Sequence, residues 1–300
     1  MNFIDQIVQG VLLGGYYALI ACGLSFMFGV MRIINLAHGD FAVLGAFLVW
    51  LIAGHFGIDP FLSLVIVLPV MFDFGWLVQR GMLERSLRSG LLVPLLSTFG
   101  LAIVVENLLF ESFGADTRSL APQIGDLAFD SWAITESYGL GKLAVLIFGL
   151  AVVLLGGLSL FLKHTRIGRA IRATAEDPDT AELVGVNSRA VYGFAAGIAV
   201  ATVALAGTLL AMRATFDPYS GPMQLIFAFE AVVIGGIGSL WGTLWGGIVL
   251  GVAQTLGAQF DPRWFLLSGH LVFLAVLALR LLAGGLRARG GVRRLMGMRP

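Results

Sequence analysis

Charge is scarce in this sequence: Asp, Glu, Lys and Arg together make up 12% of its 300 residues. Cysteine occurs once, at Cys22, inside an apolar run. A single thiol excludes an intrachain disulfide framework and a cysteine-cluster metal site, and it does not reveal the compartment. The histidines are scattered (His38, His55, His164, His270), which argues against a metal centre built on them. A phosphate-binding loop ends in Gly-Lys-Ser/Thr, and no such run exists here; Gly141-Lys142 is followed by Leu143. The chain is therefore expected to bind no metal or cofactor of its own and not to hydrolyse ATP. A net charge of +1 gives no ground for a nucleic-acid partner. The N-terminus MNFIDQIVQG lacks the basic region of a cleaved signal, and the uncharged run from Gln6 to Met31 is too long for a signal core. It reads as a retained first span.

What is abundant is apolar surface. Hydrophobic residues make up 58% of the chain, and its mean hydropathy is +0.92. Apolar runs of about 20 residues recur, each long enough to cross a ~30 Å hydrocarbon layer as a helix. In lipid the backbone must bond internally, which favours helices; a β-barrel would show short alternating segments instead. The expected fold is all-α: one transmembrane domain over 1–300, a polytopic helical bundle of about eight or nine membrane segments. Spans are placed at 7–30, 41–57, 61–79, 91–112, 143–162, 190–212 and 264–282, with a long apolar region at 223–260.

Basic residues set the orientation. Arg32, Arg80, Arg85, Arg88, Lys163, Arg166, Arg169, Arg172, Arg189 and the tail Arg280, Arg287, Arg289, Arg293, Arg294 and Arg299 are 15 of the 19. The positive-inside rule puts them in the cytoplasm. The loop from Gly114 to Lys142, with four acids against two bases, falls outside. The N-terminus is then outside, the C-terminus inside, and the number of crossings odd. Region 223–260 must start and end outside, turning near GGIGSLWGTLWGG (Gly235 to Gly247). That makes nine crossings, or seven plus a re-entrant hairpin.

The loop 163–189 is an island of charge, with five basic and four acidic side chains between two spans. Asp177-Pro178 reads as an N-cap followed by proline at the first helical position. Asp179 and Glu182 follow early, where the helix dipole favours acids. Gly185 reads as the glycine just past the helix end, with Val186 available to pack back. A small helix over 178–184 is expected, preceded by a second over 167–175. Helices this short stabilise little alone, so the loop reads as a docking surface for a soluble partner; the alternative is an ordinary solvated loop.

Three further features stand out. Gly238, Gly242 and Gly246 are four apart, as are Gly247 and Gly251; with Gly235 and Gly236 they read as helix packing or turn, since small residues let membrane helices approach closely. Asn35-Leu36-Ala37-His38-Gly39-Asp40 joins the first two spans and suggests a broken helix with exposed backbone at a membrane edge. It is either a gate or substrate-path element or a hydrogen-bonded turn. Asp73, Glu106 and Glu230 fall within apolar runs, where an isolated charge costs roughly 2.5–3.5 kcal/mol. They read either as an ion relay or as hydrogen-bonded carboxyls in helix contacts. The second is favoured, because no basic partner is evident in these spans.

Three stretches carry a resemblance. GLSFMFGVMRIINLAHGDFAVLGAF (Gly23 to Phe47), IGRAIRATAEDPDTAELVGVNSRAVYGFAAGIA (Ile167 to Ala199) and AVVIGGIGSLWGTLWGGIVLG (Ala231 to Gly251) resemble, in the same order, segments of the branched-chain amino acid permeases of ATP-binding-cassette importers. The similarity covers nearly the full length and points to the shorter permease type, called the H type. It implies a type II-like importer permease fold, with helices around a central path and some half-helices. It also implies a bacterial inner-membrane location, a homologous second permease, two cytoplasmic ATPases that hold the ATP and Mg, and a periplasmic substrate-binding protein. Arg169, Arg172, Glu176, Asp177, Ala181 and Gly185 occupy the coupling positions, and Asn35, His38, Gly39, Asp40 and Glu106 are candidates for the path or gate. The sequence departs from the family's pattern at Glu106, where a neutral residue is expected, and at Asp73, where members are usually apolar. The family also includes importers of urea, short amides and aromatic acids, so the substrate stays open.

Two other classes compete. A secondary transporter or channel would work alone and use the intramembrane carboxylates. A membrane enzyme would need a nucleophile–base pair or a metal-ligand set, which the loops lack.

Overall fold

The computed structural model describes residues 3–87, 90, 92–135 and 138–295. Arg88 and Arg299, counted above among the cytoplasmic basic residues, lie outside the described residues, and Arg287, Arg289, Arg293 and Arg294 are described only as helical backbone.

The long helices follow the apolar runs: α1 (Phe3–Met31), α2 (His38–Phe56), α3 (Pro60–Val78), α5 (Leu92–Phe113), α6 (Lys142–His164), α9 (Ser188–Arg213), α10 (Gly221–Gly235), α11 (Leu240–Phe260) and α12 (Trp264–Leu295). A π-turn, Gln79–Leu83, joins α3 to the short α4 (Glu84–Leu87). Among the described residues, seven helices are long and apolar enough to cross a membrane singly, and α10 and α11 form a pair bent by 114°. The chain is a multi-pass membrane protein.

Polar residues punctuate the helices. The Asp59 carboxylate accepts the Phe61 N–H at 2.8 Å ahead of Pro60, starting α3. Asn187 and Ser239 cap α9 and α11 in the same way, through the Ala190 and Gly242 amides. Gly57, left-handed at φ 63°, ends α2.

The core is built around α1, which packs against α6, α9, α10 and α11. Helix α2 packs against α3, α9 and α10, whereas α12 leans on α10 and α11 from outside. Helix α11 runs antiparallel to α1: Gly10 faces Val252 and Thr255, Gly14 faces Ile248, and Gly29 faces Gly238. Helix α10 runs parallel to it, with Tyr16 bonded to Gln224 and Tyr17 against Phe227. Thus α10 begins midway along α1 and ends at its C-terminal end, where residues 236–239 turn the chain back. The region 223–260 is a half-helix followed by a full span, and it turns within the glycine run expected from the sequence.

Two sides are distinct. The Gln9 amide reaches the Gly139 carbonyl at 3.4 Å near the start of α1. At its other end Met27, Met31 and Ile33 cluster with Ile171 of the charged loop. One departure from an all-α chain occurs on the first side. Ser131–Thr135 (β1) and Tyr138–Gly141 (β2) form a two-stranded antiparallel hairpin, pairing Ser131 with Gly141 and Trp132 with Leu140. Trp132, Ile134, Thr135 and Tyr138 are residue types that suit a pleated strand, a signal masked by the loop's charge.

Candidate functional site

The charged loop folds into two helices, α7 (Arg166–Glu176) and α8 (Pro178–Leu183), within a residue or so of the expected 167–175 and 178–184. Thr165 starts α7 by accepting the Gly168 N–H at 2.9 Å. Gly168, Ile171 and Thr174 form its buried face, while Arg166, Arg169, Arg172 and Glu176 are exposed. Gly168 permits the close return of α7 onto α6, since a Cβ there would lie 2.4 Å from the Phe161 carbonyl oxygen.

Asp177 caps α8: its Oδ1 accepts the Asp179 and Thr180 amides at 3.0 and 3.1 Å, and its Oδ2 accepts the Thr180 hydroxyl at 2.5 Å. The Thr180 hydroxyl first, then the Thr180 and Asp179 amides, hold this carboxyl below the usual carboxylate range. At the other end the Gly185 N–H donates to Glu182 O and the Val186 N–H to Ala181 O, both at 3.0 Å. With Gly185 at φ 86° this is the Schellman pattern.

Of the expected coupling residues, Arg169, Arg172, Glu176, Asp177 and Gly185 are exposed, but Ala181 is buried and anchors α8 rather than lining its outer face. The sequence reading did not single out Leu183 and Val184, which are 87% and 75% exposed at the end of α8. An apolar pair at the tip of a charged loop was visible in the sequence, but its exposure was not.

The Asn35–Asp40 segment is buried, contrary to the expectation of exposed backbone at a membrane edge. Asn35 is 1% exposed, His38 0% and Asp40 2%. Its polar groups are folded inward: Asn35 Oδ1 accepts the Ala37 N–H at 3.0 Å, Thr98 Oγ1 accepts the Leu36 N–H at 3.1 Å, and His38 Nε2 pairs with the Ile20 carbonyl at 2.8 Å. Gly39 and Asp40 press on the N-terminus of α10. A Cβ on Gly39 would lie 1.9 Å from the Gly221 carbonyl oxygen, and one on Gly221 equally close to Asp40 Oδ1. A carboxyl there suits the positive end of the half-helix. Glu106 is half-buried on α5, near enough to Asp40 for the two carboxyl groups to interact.

The glycine run serves both turn and packing. Gly236 and Gly238 are left-handed, at φ 103° and 80°, in the α10–α11 turn. Gly235 and Gly242 face one another, Gly246 faces Ala231, and Gly247 and Gly251 take the other side of α11 against Gly14. The sequence reading missed the polar pairs within the bundle: Tyr16 with Gln224 at 2.5 Å, Tyr17 with Gln254, and Ser25 with Thr243 at 2.8 Å. Single polar residues inside apolar runs were the signal. Glu230 also gains a partner the sequence reading denied it, His270 on α12 at 2.5 Å. Asp73 has none among the described residues and is exposed on α3.

Comparison with known proteins agrees with this architecture. Residues 6–278 match the family model described as branched-chain amino acid transport system / permease component. The chain is 32% identical to the high-affinity branched-chain amino acid transport system permease protein BraD of Pseudomonas aeruginosa, over 86% of this chain and 87% of that protein. It is 31% identical to the corresponding protein LivH of Escherichia coli (strain K12), over 87% of each. It is 26% identical to LivM of the same strain, another permease protein of that system, over 87% of this chain and 66% of that protein. No solved structure matches it significantly.

Proposed function

The chain belongs to the family of branched-chain amino acid transport system permease components, and from that premise we propose that it forms half of the translocation path of an ATP-driven importer for branched-chain or related amino acids. A second, homologous permease supplies the other half, two cytoplasmic ATPases hydrolyse ATP, and a periplasmic binding protein delivers the substrate. LivH and LivM, both similar to this chain, are named as permease proteins of one system in one strain, which supports a pair of related permeases.

The observation that carries the coupling reading is the α7–α8 hairpin. It is capped at both ends of α8 and presents Leu183 and Val184 to solvent among Arg169, Arg172, Glu176 and Asp177. An apolar tip on a charged, aqueous-side loop fits a groove on a soluble protein. ATP-driven closure of the ATPases pushes this hairpin; α7, whose Ile171 packs beside Met27 and Met31 at the end of α1, passes the movement to the bundle. The buried contact of Gly39 and Asp40 with the N-terminus of α10 is then the element that opens. The hairpin side is cytoplasmic, in the inner membrane, and the N-terminus lies outside.

Purification tests this. The chain alone should hydrolyse no ATP, and a complex with the two ATPases and second permease should do so and take up amino acid when the binding protein is added. A preparation free of any second protein that hydrolysed ATP stoichiometrically would overturn the assignment. Uptake by the chain alone, reconstituted in vesicles, would favour a secondary transporter instead.

A further inference from the structure

Two helices begin inside the bundle rather than at its surface. His38, the first residue of α2, pairs with the Ile20 carbonyl at 2.8 Å, and Gln224, in the first turn of α10, bonds to Tyr16 at 2.5 Å. Tyr16 and Ile20 lie near the middle of α1, so both helix N-termini open at mid-membrane depth. No side chain caps either of them. The first amides of α10 are left without a side-chain acceptor.

Acceptors without donors stand beside them. Asp40 is 2% exposed, and its Oδ1 has no hydrogen-bond partner. It is aimed at the start of α10, where a Cβ on Gly221 would lie 1.9 Å from that oxygen. Glu106 on α5 is close enough to Asp40 for the two carboxyls to interact, and it makes no hydrogen bond or ion pair with any described residue. Helices α1, α2, α5 and α10 carry no lysine or arginine. Each helix N-terminus contributes roughly half a positive charge, so the two together offset only one of the two carboxylates.

The possible occupants can be separated by their chemistry. The described residues hold no group of three or more His, Cys, Asp and Glu side chains that could bind a metal ion. A proton would satisfy a carboxylate but would bring no acceptor to the amides of α10. A zwitterion answers both needs. Its ammonium brings three donors to the carboxylates, and its carboxylate accepts from the amides of a helix N-terminus.

We propose that Asp40, Glu106 and the N-terminus of α10 form a site within the path for the head group of an α-amino acid. The ammonium lies between the two carboxylates, and the carboxylate meets the first amides of α10 as that helix moves off Asp40. The inference rests on the importer reading above and deepens it: the permease itself reads the zwitterion, so uncharged amides and simple carboxylic acids are not held.

The test uses the assembled membrane complex without its binding protein, so that only the membrane-bound subunits can hold ligand. The probe is whichever of leucine, isoleucine and valine the full system imports fastest, radiolabelled. It should bind saturably in at least one of two states, with ATP and without it. Its 2-hydroxy acid and its amide, which lack the ammonium and the carboxylate respectively, should compete about tenfold more weakly or worse. Glu106→Gln, at a half-buried position, should weaken binding about tenfold at unchanged recovery of the complex, and Asp40→Asn should do the same. Should Asp40→Asn fail to assemble, Glu106→Gln decides alone. No binding by a complex that imports the probe, equal competition by either analogue, or wild-type affinity in either assembled variant would overturn the inference and leave the importer reading intact. A full system that imports none of the three amino acids would overturn that reading, and this inference with it.

Discussion

The Glu230 carboxylate on α10 meets the His270 imidazole on α12 at 2.5 Å, with the Glu230 side chain 4% exposed and that of His270 38%. Further along α12, Arg280 donates to the Ile234 carbonyl at 2.8 Å, near the C-terminal end of α10. These two polar contacts, with the Phe229 ring against that of Phe273, tie the outer helix α12 to the half-helix. Helix α12 offers little buried apolar surface to replace them, since 6% of its span is buried.

His270→Leu should leave the Glu230 carboxyl buried without its partner, destabilising the protein by about 1–3 kcal/mol. Glu230→Leu combined with His270→Leu should recover much of that loss, because both polar groups are then gone. Thermal unfolding of the purified protein in detergent reads both. Equal losses in the single and double variants would show that the pair does not anchor α12.

The glycine contacts give a second expectation. Gly246 on α11 lies against the Ala231 carbonyl, 2.0 Å from where a Cβ would sit, and Gly242 against the Gly235 carbonyl at 2.2 Å. Neither obstacle is a flexible side chain, so Gly246→Leu must force α10 and α11 apart at a cost of about 1–3 kcal/mol or more. Folded yield should fall sharply. Gly149, beside which nothing lies within 4 Å, should accept the same change with near-normal yield. Size-exclusion profiles of the two variants make the comparison.

Much of this was legible in local sequence, for definite reasons. Length and apolarity mark the spans, Asp177-Pro178 and Gly185 mark the ends of α8, and glycines four apart mark close helix approach. All are signals carried by residues near one another in the chain. What sequence hid was long-range pairing. Tyr16 with Gln224 spans 208 positions and Glu230 with His270 spans 40; neither spacing encodes a contact. The burial of Asn35–Asp40 was misread for the same reason. Polar residues between two spans look like a membrane-edge loop until the N-terminus of α10 is seen to cover Gly39 and Asp40.

Sidedness can be tested with single cysteines, because Cys22 is buried and contributes little background. Phe129 lies at 79% exposure in the loop before the hairpin, and Val184 at 75% on the coupling tip. In intact cells a membrane-impermeant maleimide should label Phe129→Cys and spare Val184→Cys until the membrane is opened. The reverse pattern would invert the topology.

The cap at Asp177 supplies a test with a pH sign. Its carboxyl sits below the usual carboxylate range in the folded loop. The stabilisation is therefore fully present above the unfolded value of about 3.9 and is lost only as pH falls through the lower folded value. Between pH 6 and 8 the cap stays charged, so ATPase association through this loop should not vary there on its account. Asp177→Asn, also a good N-cap, should associate like wild type across that range, and Asp177→Ala should associate more weakly at every pH. Co-purification at matched permease levels reads the difference. A wild-type association that changed between pH 6 and 8 while Asp177→Asn stayed flat would contradict the assigned cap.

Gly185 separates backbone strain from packing. Its φ of 86° lies in the left-handed region, yet a Cβ there would meet nothing within 4 Å. Within this chain, any effect of substitution must therefore come from the backbone and not from a clash. Alanine should cost about 1–2 kcal/mol of local order, and valine more, because its branched Cβ tolerates this region least. Asparagine, which visits it more readily, should cost less. The order Gly, Asn, Ala, Val should appear in ATPase co-purification and in uptake. Membrane insertion should stay constant, because the spans fold through contacts far from this turn. The Gly185 and Val186 bonds to Glu182 and Ala181 are what aim Leu183 and Val184, so loss of the turn would misdirect the apolar tip without removing it. If Gly185→Val supported wild-type association and uptake, the capped α8 would not be the docking element, and the coupling role would have to move to α7.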